Sequence, residues 1–179
     1  MSKIPFPDLA SVDSRQRAIF ERLPKINLFQ FALHLDKGFE SFVRFSGSML
    51  VYSEVDPVLR EIAILRVGGI SKSEYEFAQH ANLARQIGIS EDIINLLKNN
   101  APPSDFEGDY QAIVQFTDEI VHNVKPTDDS MNRVMGILNN RSLVELVFAI
   151  GFYMMVARVL ETFEVDLDED LPTTRIDRP

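Results

Sequence analysis

The sequence predicts an all-helical protein that folds as a single domain. From Ser14 onward, apolar residues recur every three or four positions, which is the period of a helix face, and no segment alternates as a half-buried strand does. The chain has 179 residues, of which 45% are hydrophobic, enough for one compact core. We therefore expect an extended segment over 1–13, a helical domain over 14–163 and an acidic, mobile tail over 164–179.

Local signals set the boundaries of the first helices. Pro24 ends the first one, because its ring excludes the preceding residue from helical geometry. Asp56 is placed to accept bonds from free amides at a helix start, and Pro57 fits the first helical position. Gly68 and Gly69 weaken the end of that helix, so a turn is predicted just after them. The helices predicted up to this turn cover about 14–23, 27–35, 39–52 and 57–69.

Capping signals and one loop divide the second half of the chain. The pairs Ser71 with Glu74 and Ser73 with Glu76 form two overlapping capping boxes at the start of the next helix. Gly88 is a good left-handed end for it. The segment 99–108 contains two prolines and is the best loop candidate, a lid or a spacer. The remaining helices are predicted over about 90–98, 109–123, 127–138 and 142–163, the last opened by a capping box of Ser142 and Glu145.

Composition excludes several classes of function. The chain has 18 basic and 27 acidic residues and a formal charge of -9, the wrong sign for holding nucleic acid or anionic lipid by bulk electrostatics. It has no cysteine, which excludes disulfides, zinc-thiolate sites, iron-sulfur clusters and thiol chemistry. Residues 1–9 lack the basic and apolar regions of a secretory signal, so we expect a cytoplasmic protein. The apolar run 146–157 is shorter than the roughly 20 residues of a membrane span, so a buried helix is predicted there.

His80 is the histidine with several candidate functional groups around it. Glu76 lies four residues before it on the same helix face, and aliphatic residues continue that face. A buried pocket lined by this face would shift both pKa values toward use as an acid or a base. The alternative is a solvated pair worth only tenths of a kcal/mol, with Glu76 serving as the partner of the helix cap.

Glu61 is a second candidate, because the four residues that follow it in its helix are all apolar. If the two helices form a hairpin, Glu61 lies roughly 14 Å and His80 roughly 12 Å from the turn, at about 1.5 Å of rise per residue. The two side chains would then be at about the same depth. The alternative is an ion pair of Glu61 with Arg60, with Arg66 or with a partner chain.

These residues resemble a known family. The segments Leu59-Arg60-Glu61-Ile62-Ala63-Ile64-Leu65-Arg66 and Tyr75-Glu76-Phe77-Ala78-Gln79-His80-Ala81-Asn82-Leu83-Ala84, followed by Gly88-Ile89, are similar to the core of the carboxymuconolactone decarboxylase family. That family includes the alkylhydroperoxidase D (AhpD) type, whose site has a glutamate, a Cys-x-x-Cys pair and a histidine. The resemblance matches the glutamate to Glu61 and the histidine to His80, whereas Ser73 and Glu76 stand at the cysteine positions. It implies an AhpD-like helical fold.

The missing cysteines imply a different activity from that of the peroxidases, since neither serine nor glutamate can replace a redox thiol. The resemblance to the cysteine-free branch implies cofactor-free lyase or isomerase chemistry on a small carboxylated substrate, with no metal. His80 would be the general acid or base, Glu61 would orient it, and Tyr75 or Glu76 would contact substrate or tune the imidazole. Because that substrate is anionic, nearby residues would have to bind it: Arg60, Arg66, Lys72, Ser73 and Arg85.

Two alternatives belong to other classes. Glu119 and His122 form a Glu-x-x-His element as in di-iron bundles, but such bundles need two elements and the sequence has one. The other alternative is a non-catalytic oligomeric scaffold. The 13 phenylalanines and the apolar last helix favour self-association, and members of the resembled family are typically homo-oligomers. Burial of Glu61 and His80 around an enclosed pocket would favour the enzyme over the scaffold.

Overall fold

The fold class predicted from the sequence is confirmed. The computed structural model describes residues 2–169, and within them the chain forms α-helices and two short 3-10 helices, without strands. The α-helices are α1 (Ser14–Phe20), α2 (Asn27–Ala32), α3 (Phe39–Val51), α4 (Pro57–Ser71), α5 (Glu74–Gln86), α6 (Glu91–Lys98), α7 (Gly108–Asn123), α8 (Asp128–Ile137) and α9 (Asn140–Phe163). The 3-10 helices cover Leu33–Gly38, where the predicted second helix ends early, and Pro103–Asp105.

Helix α4 is the centre of the protein, and α5, α6, α7 and α9 pack around it. It begins as predicted: the Asp56 carboxylate accepts bonds from the amides of Val58 at 2.9 Å and Leu59 at 3.2 Å, and Pro57 occupies the first turn. Every residue from Leu59 to Gly69 is buried. A helix that is apolar on nearly all sides is expected at such a central position.

The α4–α5 hairpin turns at Lys72, which has the left-handed φ of 53°. Gly68 and Gly69 do not end α4, which continues to Ser71. Gly69 is required for close packing instead, because a Cβ there would lie 2.5 Å from the backbone oxygen of Leu97 at the end of α6. The predicted turn after the glycine pair is confirmed, whereas the prediction that the pair weakens the end of the helix is wrong.

The predicted capping boxes are not formed. Ser71 lies inside α4, and Ser73 is the N-cap of α5 but its side chain makes no capping bond. Helix α9 begins two residues earlier than expected, with Asn139 Oδ1 accepting from the amide of Ser142 at 2.9 Å. Glu145 accepts instead from the amide of Glu54 at 2.6 Å, so it joins α9 to the start of α4. Glu145 is thus bonded to a non-local amide and not to its local cap.

Helix α9 is long and apolar. It has 24 residues, and its most apolar 18-residue window has a mean hydropathy of 2.0, enough to cross a membrane by length and composition. The expectation that the apolar run is too short for a span is therefore wrong as a length argument. In the folded chain, 44% of that window is buried against neighbouring helices. The buried side chains of this helix, among them Leu146, Ile150 and Leu160, belong to the core of the domain.

The two ends of the described chain lie side by side. The amide of Lys3 donates to the carbonyl of Phe163 at 2.8 Å. The Asp168 carboxylate accepts from the amide of Asn27 at the start of α2 at 2.6 Å. Residues 164–169 are thus fastened to the helical body, although the sequence predicts a mobile tail; the rest of that tail lies outside the described residues. The predicted loop 99–108 is also anchored, since Phe106 is buried in the core.

Candidate active site

A cavity of about 440 Å³ lies between α2, α3, α5 and α9. This volume is in the usual range of small-molecule sites, about 300–1,000 Å³. Most of the wall is aliphatic or aromatic, with Leu28, Leu50, Leu83, Phe152 and Leu160 among the lining side chains. The polar part of the wall comes chiefly from α5, which contributes Tyr75, Glu76, Gln79, His80 and Asn82. The cavity wall is therefore mostly apolar, with one polar side formed by α5.

Glu61 and His80 form a hydrogen-bonded pair beside this cavity. His80 Nδ1 lies 2.7 Å from Glu61 Oε2, and the residues are 9% and 0% exposed. An ionised carboxylate only accepts hydrogen bonds, so Nδ1 is the donor when Glu61 is ionised, and Nε2 is then the ring nitrogen left for a substrate. The geometry agrees with the expectation that the α4–α5 hairpin brings the two side chains to the same depth. It can hold a histidine as a base.

Arg60 supports the buried carboxylate from its other side. Arg60 Nε lies 3.8 Å from Glu61 Oε1, and Arg60 is 4% exposed. Neither of these two atoms has a hydrogen-bond partner. The ion pair expected between Glu61 and Arg60 is therefore present as a longer-range contact, in addition to the histidine bond. A buried carboxylate is tolerated when a cation and a hydrogen-bond donor share it.

Glu76 is the unpaired acid of the cavity wall. It is 3% exposed, and neither carboxyl oxygen has a hydrogen-bond partner. Burial raises the pKa of Glu76 well above its ordinary range, and the charge of Glu161 on α9 raises it further. The expectation that this residue serves as a helix-cap partner is wrong. A protonated carboxyl group at this position is able to donate a proton or a hydrogen bond.

Tyr153 of α9 is a site residue that sequence reasoning missed. Its ring packs edge-on against the imidazole of His80, with 4.6 Å between ring centroids and 84° between planes. Burial raises the pKa of Tyr153 well above its ordinary range, and the negative charge of Glu61 acts in the same direction. The phenol therefore stays neutral and limits how the imidazole can turn. A polar-tipped tyrosine inside the apolar run 146–157 was the available signal.

Tyr75 lies on the wall of the cavity and holds the C-terminal segment. Its hydroxyl donates to Asp168 Oδ2 at 2.5 Å and accepts from the amide of Leu28 at 3.0 Å. Gln79 Nε2 donates to the same aspartate oxygen at 2.6 Å. Burial raises the pKa of Tyr75, and the bond to Asp168 raises it further. With its hydroxyl engaged in this way, Tyr75 supports the site rather than offering a free proton.

The cations expected to bind a carboxylated substrate are not brought to this cavity. Arg66 makes a two-pronged ion pair with Asp118 at 2.5 and 2.7 Å and also donates to the carbonyl of Ala101 at 2.9 Å. Lys72 is exposed at the end of α4, and Arg85 pairs with Glu91. Among residues 2–169, no lysine or arginine lines the cavity.

Ser73 does not contact the cavity either. It is 1% exposed at the start of α5, and its Oγ has no hydrogen-bond partner. The two positions that the resemblance matches to cysteines thus both carry buried polar atoms without partners, Ser73 Oγ and the Glu76 carboxyl oxygens.

The metal alternative gains no support from the arrangement of its residues. Glu119 Oε2 accepts from the amide of Thr127 at 2.6 Å, at the start of α8, and His122 is exposed. Over the part of the chain that the structure describes, no three metal-ligating side chains come together. Glu119 thus acts as a structural acceptor between α7 and α8.

Comparisons with known proteins agree with this fold. The model of the carboxymuconolactone decarboxylase family matches residues 37–117, which include α3 to α6 and the Glu61–His80 pair. No curated protein matches. An uncharacterised peroxidase-related protein with an alkylhydroperoxidase AhpD core from Ralstonia eutropha JMP134 superposes with a TM-score of 0.79 at 14% identity, covering 94% of this chain and 93% of that one.

Two further solved structures are similar. An uncharacterised peroxidase-related protein from Silicibacter sp. TM1040 has a TM-score of 0.80 at 15% identity, covering 94% of this chain and 92% of that one. A protein of unknown function from Agrobacterium tumefaciens has a TM-score of 0.66 at 18% identity, covering 75% of this chain and 92% of that one. At these identities the likeness shows the fold alone. The resemblance predicted from the sequence is thus confirmed: the carboxymuconolactone decarboxylase family model matches residues 37–117, within an AhpD-like all-helical fold and in a chain without cysteine.

Proposed function

We propose that this protein is a cofactor-free acid/base enzyme, of lyase or isomerase type, that acts on a small molecule bound in the cavity. The observation that carries the proposal is the buried Glu61–His80 pair, 2.7 Å long, with the imidazole on the wall of a 440 Å³ cavity. A histidine whose Nδ1 is held by a carboxylate, with Nε2 left as the base, is an established arrangement for proton transfer.

His80 is the general base in this proposal. Its Nε2 removes a proton from a substrate carbon next to a carbonyl group, and the electron pair of that C–H bond moves to the carbonyl oxygen. Glu61 orients the imidazole and stabilises the imidazolium that forms. The Glu76 carboxyl group donates its proton toward the oxygen, where negative charge develops. In a β,γ-unsaturated carbonyl substrate the product of this step is a dienol. Return of the proton from His80 to the γ carbon, with the double bond shifting into conjugation and the oxygen proton returning to Glu76, completes an isomerisation.

The lyase version uses the same groups. The electron pair of the breaking C–C bond of a β-keto acid moves to the carbonyl oxygen as carbon dioxide leaves, and Glu76 protonates that oxygen. A protonated His80 then delivers a proton to the carbon that lost its carboxyl group, and Glu76 recovers its own. The expectation of a carboxylated substrate stays a prediction, and the described cavity wall offers it no cation.

Burial is the observation that favours an enzyme over a scaffold. A non-catalytic scaffold has no use for Glu61 at 0% exposure, because a buried carboxylate costs free energy that an apolar side chain of similar size would not. Nor does it need Glu76 to be buried without a partner. Groups kept in this state are typical of functional sites.

Deuterium exchange tests the proposal without knowledge of the natural substrate. The protein is incubated in D₂O with 2-tetralone and, separately, with its 6-carboxylate, and incorporation next to the carbonyl group is followed by NMR. We expect exchange above the buffer rate that falls at least about 100-fold in His80→Gln, the usual contribution of a general base, and falls in Glu61→Gln. Glu74→Gln, an exposed acid on the same helix, is the matched control and should exchange normally.

The opposite result is equally clear. If neither ketone exchanges above the buffer rate although one of them binds, or if His80→Gln exchanges as fast as wild type, the proton-transfer role fails. The scaffold then becomes the better interpretation. Circular dichroism of each variant ensures that a loss of exchange is not a loss of fold.

We also propose that the chain self-associates through the outer face of α9. Val144, Phe148 and Met155 are 54%, 56% and 45% exposed on one stripe of this helix. Gly151 lies on the same stripe, and a side chain there would touch nothing within 4 Å. A glycine in a helix interior costs about 1 kcal/mol relative to alanine, so its place here fits close approach of a second copy of α9.

Light scattering coupled to gel filtration tests this second proposal. Wild type should run as a dimer or larger, and Phe148→Glu should shift the mass toward the monomer. Met135→Glu places the same charge on an apolar side chain of α8 that is 53% exposed, and should leave the mass unchanged. A monomeric wild type would overturn the proposal.

A further inference from the structure

The wall of the cavity is chemically one-sided. Side chains from α2, α3 and α9 supply an aliphatic and aromatic surface, which includes Leu28, Val43, Leu50 and Val156. The polar groups that face it from α5 are neutral amides and a phenol, apart from Glu76 and His80. An apolar body with few polar contacts selects a ligand of the same character.

Glu76 is the acid of this wall whose side chain has no hydrogen-bond partner. Both carboxyl oxygens are buried without a partner, on a residue that is 3% exposed. Buried polar atoms in folded proteins are nearly always hydrogen-bonded, so an orphaned carboxyl group on a cavity wall indicates a ligand that completes it. The neighbouring charges are Glu161 on α9 and the Glu61–Arg60 pair behind His80.

The protonation state of the Glu76 carboxyl group determines which kind of ligand atom can form a hydrogen bond with it. Burial and the Glu161 carboxylate both favour its protonated form. A protonated carboxyl is a neutral donor, so it binds an oxygen acceptor and gives no attraction to a cation. A carboxylate ligand would have to leave water for a wall of hydrocarbon and neutral dipoles, which is costly without a countercharge.

Spacing sets the size of the recognised group. Glu76 and His80 are four residues apart on α5, so their Cβ atoms are about 5–6 Å apart. At that distance one ligand can place its carbonyl oxygen at Glu76 and an adjacent C–H group at His80. We propose that the cavity takes a neutral, largely apolar ketone-type molecule, with its carbonyl oxygen bonded to Glu76 and a neighbouring C–H directed to His80. This inference rests on the proposed function, because it treats the cavity as the substrate site, and it favours the isomerase version, since the lyase version needs a carboxylated substrate.

Three matched probes test the inference by binding alone. They are 2-tetralone, its 6-carboxylate, and tetralin, which has the same skeleton without oxygen. Binding is measured by NMR titration of the cavity methyl groups of Leu50 and Leu83, so that only ligands in this cavity are counted. We expect the neutral ketone to bind at least about tenfold more tightly than the carboxylate, since the latter buries an unpaired charge.

Substitution of Glu76 identifies the donor. Glu76→Leu should weaken 2-tetralone about fivefold, the loss of one hydrogen bond, and should leave tetralin unchanged or tighter. Glu76→Gln keeps an N–H donor and should retain most of the affinity for the ketone. Glu74→Gln controls for charge on the same helix.

The outcomes separate this inference from the proposed function. A carboxylate that binds as tightly as the ketone, or a ketone affinity that is indifferent to Glu76→Leu, overturns the neutral-ligand assignment even if exchange is seen. A neutral ketone that binds as predicted but does not exchange supports this assignment and overturns the proton-transfer role of His80.

Discussion

The pH dependence of stability is the sharpest test of the buried acid. In the unfolded chain Glu76 loses its proton near its ordinary pKa of 4.5, whereas burial and Glu161 raise the pKa in the folded state well above that. Between the two pKa values the folded protein binds one more proton than the unfolded chain. The free energy of unfolding therefore falls as pH rises through this window, by up to about 1.4 kcal/mol per pH unit. Below the unfolded pKa both states are protonated and the effect is absent.

Glu76→Gln removes this cost, because an amide of the same shape does not titrate. The variant should match wild type near pH 4 and become progressively more stable than it above pH 5, with a difference that grows by up to about 1.4 kcal/mol per unit. The difference in unfolding free energy is measured by urea unfolding at half-unit pH steps. Because the other groups titrate in both proteins, their contributions cancel in this difference. Glu74→Gln, exposed two residues earlier on the same helix, should show no such growth. A flat difference for Glu76→Gln would refute the argument that the acid is buried and unpaired.

Two predictions concern packing around α4. Gly69→Ala should destabilise the protein by about 1–3 kcal/mol despite the better helix propensity of alanine, because its Cβ would lie 2.5 Å from a backbone oxygen of α6. Gly68→Ala should be neutral or up to about 1 kcal/mol stabilising, since its Cβ has no contact closer than 3.5 Å. If Gly68→Ala and Gly69→Ala change the free energy of unfolding in urea equally, this reasoning is contradicted. Asp118→Ala should lower the free energy of unfolding by about 2–4 kcal/mol, because it leaves the buried Arg66 without its ion-pair partner. An unchanged thermal unfolding temperature would show that the pair is not needed for stability.

Much of the fold was predictable because its signals are local. The start of α4 is determined by Asp56 and Pro57, which act on amides one turn away. The turn at Lys72 lies just after Gly68 and Gly69, where it was predicted, and Gly88, with a φ of 91°, follows the end of α5 as expected. The Glu61–His80 contact also followed from the sequence, because equal helical rise on both sides of a hairpin brings residues at equal distance from the turn together.

The errors arose where a side chain had a choice of partners. A capping box is a local option for Glu76, but burial against α9 leaves that side chain facing the cavity without a bond. Arg66 lies five residues from Glu61 in sequence, yet Asp118 of α7 takes its guanidinium. Sequence distance to a site does not show which face of a helix a long side chain occupies.

The sequence by itself determined the helical class, most helix boundaries, the resemblance to the family model and the acid–imidazole pair, since each depends on residues within a turn or a hairpin of one another. The tertiary structure alone decided the character of the site. Tyr153 and Asp168 reach α5 from more than 70 residues away in sequence, and the cavity exists only where α2, α3, α5 and α9 meet. Burial, and with it the charge state of Glu76, is a property of that assembly of helices and not of any one segment.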